Sequence, residues 1–143
     1  MDPLSATASA IAILQITGSI IATCYEYRSR IKSAESDARR ITNELNDLRT
    51  IIDALFILLQ SEPKNYAQSS ILGQLAERDG PLARCETDLM SLQQKLQPKE
   101  GWRAAKATIF WPLKESDVNR LLDSIERTKS TVQLALAADQ RYD

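Results

Sequence analysis

The sequence contains no histidine, and only 2 cysteines, 4 glycines and 5 prolines occur among its 143 residues. Without histidine the chain cannot form a Ser/His/Asp triad, a Cys/His dyad or an imidazole metal site, so most hydrolase mechanisms are excluded. Cys24 and Cys85 form no CxxC motif and are expected to be buried free thiols in a reducing compartment. We therefore expect no enzymatic activity, no cofactor and no metal site.

The charges of the chain are nearly balanced, with 18 Lys and Arg against 19 Asp and Glu and a net charge of −1. Generic nucleic-acid binding usually requires a basic excess, so nucleic acid is not an expected partner. The length and the 43% hydrophobic content are those of one compact globular domain. The scarcity of glycine and proline favours helices.

Several segments carry apolar residues at the alternating spacings of three and four that predict amphipathic helices. The first has a favourable helix start at Asp2 and Pro3 and carries no charge from Pro3 through Tyr25. The others are predicted at residues 36–60, 69–77 (a short helix), 81–96 and 116–138. Ser116 is the expected cap of the last helix. Lys129 occupies an apolar position of that helix, and its ammonium group is expected to extend outward.

These apolar faces determine the predicted fold class. Each face needs partners, and short connections make successive helices antiparallel. We predict an all-α fold: an antiparallel helical bundle of four long helices plus one or two short helices, with a hydrophobic N-terminal helix. No segment of the sequence gives much support for a strand.

The N-terminal helix is the most informative segment, because its apolar residues fall on two adjacent stripes. One stripe contains Leu4, Ile11, Leu14 and Ile21, and the other contains Ile13, Ile16 and Ile20. Such a face is wider than a surface helix needs, so we expect this helix to be surrounded by protein or by lipid. A bilayer core is crossed by about 20 apolar residues, a length that this segment reaches. Its many Ser, Thr and Gln residues, however, make it more polar than a constitutive membrane span.

Small residues four positions apart, Gly18 with Ala22 and Ala6 with Ala10, would allow close helix contact in lipid, although alanine-rich helices also show this spacing by chance. Two interpretations remain open: a core helix of the bundle, and a helix that enters a membrane conditionally. In the second case the membrane-inserting residues are Leu4, Ile11, Ile13, Leu14, Ile16, Gly18, Ile20 and Ile21. A secretory signal is not favoured, because Asp2 replaces the basic start of such signals.

Two basic stretches are candidates for contact with anionic lipid headgroups. The possible headgroup residues are Arg28, Arg30 and Lys32 after the first helix, and Trp102, Arg103 and Lys106 in residues 99–114. Tryptophan beside basic residues suits a membrane boundary. At the first stretch, the alternative is a solvated face with exposed ion pairs. At the second stretch, the alternative is a short amphipathic helix that closes one end of the bundle, in which Trp111 before Pro112 forms an anchored turn.

The opening segment, MDPLSATASAIAILQITGSI, resembles the N-terminal signature of the fungal HeLo-like domains, which head many NOD-like receptors and related cell-death proteins. The further matching motifs are Asp79-Gly80-Pro81-Leu82, Leu96 with Pro98, Trp111-Pro112 with Lys114, Ile125-Glu126-Arg127 with Lys129, and Leu134-Ala135-Leu136. The resemblance implies a bundle similar to the HeLo domain of the fungal prion system and to the four-helix domain of the mixed lineage kinase domain-like pseudokinase. It also implies that residues 1–143 are a single HeLo-like domain, the N-terminal part of a longer protein.

The resemblance further implies a role in regulated cell death, of the kind that serves fungal innate immunity, heterokaryon incompatibility and amyloid signalling. The leading hypothesis is a latent domain that targets and permeabilises membranes, or forms pores, once oligomerisation releases the N-terminal helix. Its expected partners are membrane lipids, above all anionic ones, further copies of itself, and an upstream receptor or amyloid-motif protein. The expected location is the cytoplasm at rest and the plasma membrane on activation. The alternative is a receptor's N-terminal protein-interaction or self-association module with no membrane activity.

Overall fold

A computed structural model describes residues 3–61, 74–75, 77, 79–97 and 111–140, and it confirms the all-α prediction. Its long helices are α1 (Pro3–Arg30), α2 (Glu35–Ser61), α3 (Pro81–Leu96) and α4 (Glu115–Gln140), and a 3-10 turn at Lys32–Ala34 connects the first two. No strand occurs in these described ranges. Of the short helix predicted at residues 69–77, only Gln74 and Leu75 are described as helical, and most of that segment lies outside the described residues.

The ends of the helices follow from local chemistry. Pro81 stands in the first turn of α3, where its missing N–H is no loss. The N–H of Gly80 donates to the carbonyl of Glu77 at 2.8 Å, and a Cβ at Gly80 would lie 2.7 Å from the Gln74 carbonyl oxygen, so the turn requires glycine. The predicted cap at Ser116 is wrong by two positions, because α4 begins at Glu115 and Lys114 precedes its first turn.

The first turn of α4 is held instead by Asp117. Its carboxylate accepts a hydrogen bond from the backbone N–H of Lys114 at 3.2 Å. This bond, together with the ammonium group of Lys95 at 3.3 Å, lowers the pKa of Asp117 below its ordinary value. A carboxylate near the N-terminus of a helix also interacts favourably with the helix dipole.

The helices pack as a ring in the order α1, α2, α4, α3. α1 contacts α2 and α3, and α4 contacts the same two helices from the other side. Successive helices are antiparallel, as predicted. The lateral pairs α1/α3 and α2/α4 are parallel, because Ser19 and Tyr27 of α1 bond to Gln93 and Leu96 of α3 in the same order. α1 therefore occupies a corner of the bundle, with a face that points away from its neighbours.

Large aliphatic side chains from α2, α3 and α4 dominate the core. The fully buried ones on these helices include Ile41, Leu45, Leu48, Ile52, Leu55, Leu82, Leu89, Leu96, Val118 and Ile125. Burying such a side chain contributes about 1.5–3 kcal/mol relative to exposure in water. The seams predicted for residues 36–60 and 81–96 are those that the structure buries.

Candidate functional site

The inner face of α1 is a regular but weak seam. Its buried positions alternate at spacings of four and three and are Ala6, Ala10, Ile13, Thr17, Ile20, Cys24 and Tyr27. Most of these side chains are small or polar, and the hydroxyl of Thr17 donates to the carbonyl of Leu14 within the helix at 2.9 Å. Each such side chain buries less apolar area than leucine or isoleucine, although α1 and α2 form the most extensive helix pair among the described residues.

The outer face of α1 carries a second seam with the same spacing. Its members are Ile11, Gln15, Gly18, Ala22 and Tyr25, which are exposed apart from the half-buried Gly18. Ile11 is 39% exposed and Tyr25 is 53% exposed. None of these residues carries a charge at neutral pH, so a continuous uncharged strip lies on the surface of the domain.

The structure separates the residues that the sequence grouped as membrane-inserting. Ile13, Ile20 and Ile21 are buried in the core, and Ile11 is exposed. Leu14, Ile16 and Gly18 are half-buried. Leu4 lies in α1, but its side chain lies outside the description. Among the described residues, α1 packs against α2 and α3 on one side, so the expectation of a helix surrounded by protein or by lipid is met by protein on its inner face alone.

By length and composition, α1 is long and apolar enough to cross a membrane. The segment Ala6–Arg30 contains an 18-residue window of mean hydropathy 1.6, and 33% of that window is buried. Core helices of soluble proteins pass the same length and composition test, but they are mostly buried. The buried fraction of α1 is similar to that of the other long helices, so what sets α1 apart is an exposed face that carries no charge as far as Tyr25.

The small residues of α1 do not act as one contact surface. Ala6 and Ala10 face the core, whereas Gly18 and Ala22 lie on the outer face. A Cβ added at Gly18 would meet no atom within 4 Å, so the bundle does not require glycine there. Glycine destabilises a helix interior relative to alanine, and helix packing in this structure gives no reason for glycine at position 18.

Tyr27 fastens the C-terminal end of α1 to the rest of the bundle. Its hydroxyl donates to the main-chain carbonyl of Leu96, the last residue of α3, at 2.9 Å. Its ring lies edge-on to Trp111 with the ring centroids 5.2 Å apart, which confirms that the Trp111-Pro112 turn is anchored. Burial raises the pKa of Tyr27. The sequence analysis missed this residue, although it continues the inner seam one step beyond Cys24.

Two of the predicted headgroup residues, Arg28 and Arg30, lie in the last turn of α1, and Lys32 follows it. Arg28 places its guanidinium carbon 5.4 Å from the ring centroid of Tyr25, a cation–π contact. Arg30 and Lys32 are exposed. Trp102, Arg103 and Lys106 lie outside the described residues, so their predicted headgroup contacts stay predictions. Nearby, Arg39 pairs with Glu35 at 2.9 Å and Arg40 with Asp37 at 3.9 Å, as expected for a solvated face with exposed ion pairs.

Cys24 and Cys85 are buried and free, as predicted. Burial raises the pKa of each thiol to about 11 and outweighs the opposing effects of the neighbouring hydroxyls of Thr42 and Thr128. At neutral pH both are therefore protonated and unreactive. In residues 3–61, 74–75, 77, 79–97 and 111–140, no group of three or more His, Cys, Asp or Glu side chains is arranged to hold a metal ion.

Lys129 does not extend its ammonium group outward as predicted. The side chain is 11% exposed, and its Nζ lies 2.9 Å from Glu44, 3.0 Å from Glu126 and 3.8 Å from Asp47. Burial alone would lower the pKa of Lys129, but the two closest carboxylates outweigh it and raise the pKa above the ordinary value. This ionic cluster fastens α4 to α2, away from α1.

These features define an all-α domain whose described residues form four long helices, with an apolar N-terminal helix that presents an uncharged exposed face. The chain belongs to the family described as "Pigment biosynthesis cluster protein PigL N-terminal", whose model matches residues 1–140. This family is a HeLo-like domain family of fungi. A search of the curated proteins and of the solved structures found no significant match. The closer similarity to the HeLo domain itself and to the pseudokinase domain stays a prediction.

Proposed function

We propose that this domain is a latent, non-enzymatic membrane-permeabilising module whose α1 leaves the bundle and enters lipid when the domain oligomerises. Its partners are anionic membrane lipids and further copies of the domain, assembled by an upstream receptor or amyloid-motif protein. It resides in the cytoplasm until activation and then acts at the plasma membrane. This role belongs to regulated cell death, in the context of fungal innate immunity and heterokaryon incompatibility. Membership of a HeLo-like family supports that context.

The observation that carries the proposal is the combination of span length and an uncharged exposed face in α1. Two faces of one helix hold apolar residues, and the bundle covers one of them. A helix whose outer face already lacks charge can meet lipid before its inner face is released. The exposed Ile11, the nearby half-buried Leu14 and the uncharged residues around them would make the first contacts.

The energetics of α1 explain why such a domain would stay latent. Exposing a buried isoleucine such as Ile13 or Ile20 to water costs about 1.5–3 kcal/mol. Lipid tails are as apolar as the core, so direct transfer from bundle to bilayer avoids most of this cost. Each isoleucine favours insertion by only a few tenths of a kcal/mol, so insertion of a single copy is marginal. Assembly, which brings many copies to one patch of membrane, supplies the additional driving force.

The experiment is dye release from anionic phosphatidylserine vesicles by the chain fused to an inducible dimerisation domain. Ile11→Glu is the test variant and Ile57→Glu is the matched control, because the two isoleucines are 39% and 59% exposed and lie on α1 and α2. A charge on a transmembrane helix costs roughly 2.5–3.5 kcal/mol. We expect forced clustering of the parent to release dye, Ile11→Glu to abolish release, and Ile57→Glu to retain it.

Two outcomes would contradict the proposal. Ile11→Glu could release dye as well as Ile57→Glu, which would show that α1 does not enter lipid. Alternatively, clustering could yield soluble oligomers and leave the vesicles intact, which would favour the alternative function, a protein-interaction or self-association module. Circular dichroism and urea unfolding of both variants check that the bundle is intact, and both substitutions are at exposed sites chosen for that reason.

A further inference from the structure

Four serine or threonine hydroxyl groups in the sequence follow an arginine by three residues, those of Ser33, Thr42, Thr87 and Ser130. Arginine at this distance is the charge pattern that arginine-directed serine/threonine kinases select, because carboxylates in their substrate groove pair with the guanidinium group. Ser33 differs from the others in having a second arginine, Arg28, five residues before it. At that position the other three have an aspartate, a leucine and an isoleucine.

The structure places three of these hydroxyl groups inside long helices of the bundle. Thr42 is 3% exposed in α2. Thr87 lies within α3 and donates its hydroxyl to the Ala83 carbonyl at 3.0 Å. Ser130 is exposed in α4, but the buried Lys129 precedes it. A kinase must place the hydroxyl in line with the γ-phosphate of ATP, so these helices would have to unwind before modification.

Ser33 lies instead in the 3-10 turn between α1 and α2. The turn follows Ile31, whose backbone is extended, with φ −131° and ψ 115°. Residues 28–33 are exposed or half-buried and lie between two buried anchors, Tyr27 and Ala34. The hydrogen bond from the Ala34 N–H to the Ile31 carbonyl is long, at 3.3 Å. This short stretch can therefore open without exposing a fully buried side chain.

The charges around this serine fit the same class of kinase. Arg28, Arg30 and Lys32 precede it, with no carboxylate between them. The carboxylates that follow it, Glu35 and Asp37, pair with arginines of α2 at 2.9 and 3.9 Å. A kinase groove lined by carboxylates therefore meets three cations immediately before the hydroxyl.

We propose that Ser33 is a phosphorylation site for an arginine-directed serine/threonine kinase, and that its phosphate lowers the affinity of the domain for anionic lipid. In the transfer, the Ser33 oxygen bonds to the γ-phosphorus of ATP, the bond from that phosphorus to the bridging oxygen breaks, and ADP leaves. The hydroxyl proton passes to the catalytic carboxylate of the kinase. The site does not depend on the proposed function, whereas its effect on lipid binding rests on it.

The effect on lipid follows from the local charge. Arg28, Arg30 and Lys32 are predicted headgroup contacts, and a phosphoserine beside them adds a charge of about −1.5 to −2 at neutral pH. The phosphate therefore cancels at least half of their positive charge. Basic residues near an anionic bilayer each strengthen binding, and phosphorylation among them weakens it.

The site is tested by incubating the full chain with ATP, Mg²⁺ and protein kinase B, which selects arginine at both positions, and locating the phosphate by mass spectrometry. We expect phosphate at Ser33 of the folded chain. The combined Arg28→Gln and Arg30→Gln variant should react about tenfold or more slowly, since two charge-assisted contacts with the kinase are lost. The matched control is Arg120→Gln with Arg127→Gln, which removes two exposed arginines of α4 and should not change the rate.

Three results would overturn the site. Ser33 could stay unmodified in the folded chain, or it could react only after the chain is unfolded in urea. The loss of Arg28 and Arg30 could also leave the rate as high as in the α4 control. Circular dichroism of both double variants checks that their helices are intact.

The dimerisation fusion and phosphatidylserine vesicles measure the effect on lipid. We expect the phosphorylated parent to need about tenfold or more protein for the same dye release. Ser33→Ala treated with the same kinase is the control and should release dye as the unmodified parent does. Equal release by the phosphorylated and unmodified parent would overturn the regulatory role. No release by the unmodified parent would contradict the proposed function and the regulatory role with it, while mass spectrometry alone decides the site at Ser33.

Discussion

α1 and α2 are nearly equal in length, at 28 and 27 residues, but the bundle holds them very differently. The seam of α2 consists of large aliphatic residues such as Leu45, Leu48 and Ile52, all fully buried. The seam of α1 combines small residues, Ala6, Ala10, Thr17 and Cys24, with the larger Ile13, Ile20 and Tyr27. The outer face of α2 is charged, whereas the outer face of α1 is uncharged.

We interpret α2 as a permanent part of the bundle core and α1 as a helix that the bundle holds only until activation. Charged residues on the outer face of α2, such as Asp47 and Asp53, keep that helix in water. α2 is also tied to α4 by the ionic cluster at Lys129. α1 relies on a weak seam and on the Tyr27 contacts at its C-terminal end. A domain with one anchored and one retained helix can release the second without losing the first.

The largest expected effect on stability comes from shortening a buried side chain of α2, which tests whether this helix forms the core. Leu48→Ala removes a fully buried side chain, and we expect it to lower the free energy of unfolding by about 2–5 kcal/mol. Ile57→Ala, at an exposed position of the same helix, should change it by less than about 0.5 kcal/mol. Urea denaturation followed by circular dichroism measures both. Equal effects would mean that α2 does not build the core.

The ionic cluster of α2 and α4 should have the next largest effect. Lys129→Met leaves Glu44 and Glu126 without their shared ammonium, and we expect a loss of about 1–2 kcal/mol, limited by the exposure of the carboxylates. Lys95→Met is the control, because that pair with Asp117 is more exposed and contributes less than about 1 kcal/mol. If Lys95→Met cost more than Lys129→Met in urea unfolding, the cluster would not fasten α4 to α2.

Removing the Tyr27 hydroxyl should weaken the attachment of α1 to the rest of the bundle. Tyr27→Phe removes the hydrogen bond to the Leu96 carbonyl, and we expect a loss of about 1 kcal/mol together with dye release at lower protein concentration. Tyr25→Phe changes an exposed tyrosine two residues away and should alter neither quantity. A Tyr27→Phe variant that is destabilised but leaks no more readily would show that this bond does not govern release.

The smallest expected effect concerns the outer face of α1. Gly18→Ala adds a methyl group in open space and should stabilise the helix by about 0.5–1 kcal/mol. If Gly18 serves only the released state, this variant should be more stable in thermal unfolding yet permeabilise vesicles less effectively. Unchanged permeabilisation would mean that glycine has no role in the membrane form.

The sequence predicted the fold most accurately where large aliphatic residues repeat at regular spacing. The predicted range 36–60 differs from α2 by one residue at each end, and the predicted 81–96 coincides with α3. For α1, counting isoleucines overestimated burial, because Ala6, Ala10 and Thr17 decide which side faces the core. The uncharged outer strip was visible in the sequence, but its exposure depends on the ring order of the helices.

Contacts between distant residues could not be predicted from the sequence. The Tyr27 hydroxyl bonds to a main-chain carbonyl, and a carbonyl leaves no signal in the side-chain pattern. Lys129 meets Glu44 only because α2 and α4 are parallel neighbours, an arrangement that helix periodicity does not encode.

The most direct test of the account is a reversible tether between α1 and α2. The Thr42 hydroxyl is near enough to the Cys24 thiol to lower its pKa, so Thr42→Cys is the variant with which to introduce a disulfide between the helices, and mass spectrometry checks that the bond forms. We expect the clustered, oxidised variant to leave phosphatidylserine vesicles intact and to release dye once a reductant cleaves the bond, with the parent releasing dye in both conditions. Equal release before and after reduction, with the disulfide confirmed by mass spectrometry, would show that α1 need not leave the bundle and would contradict the account.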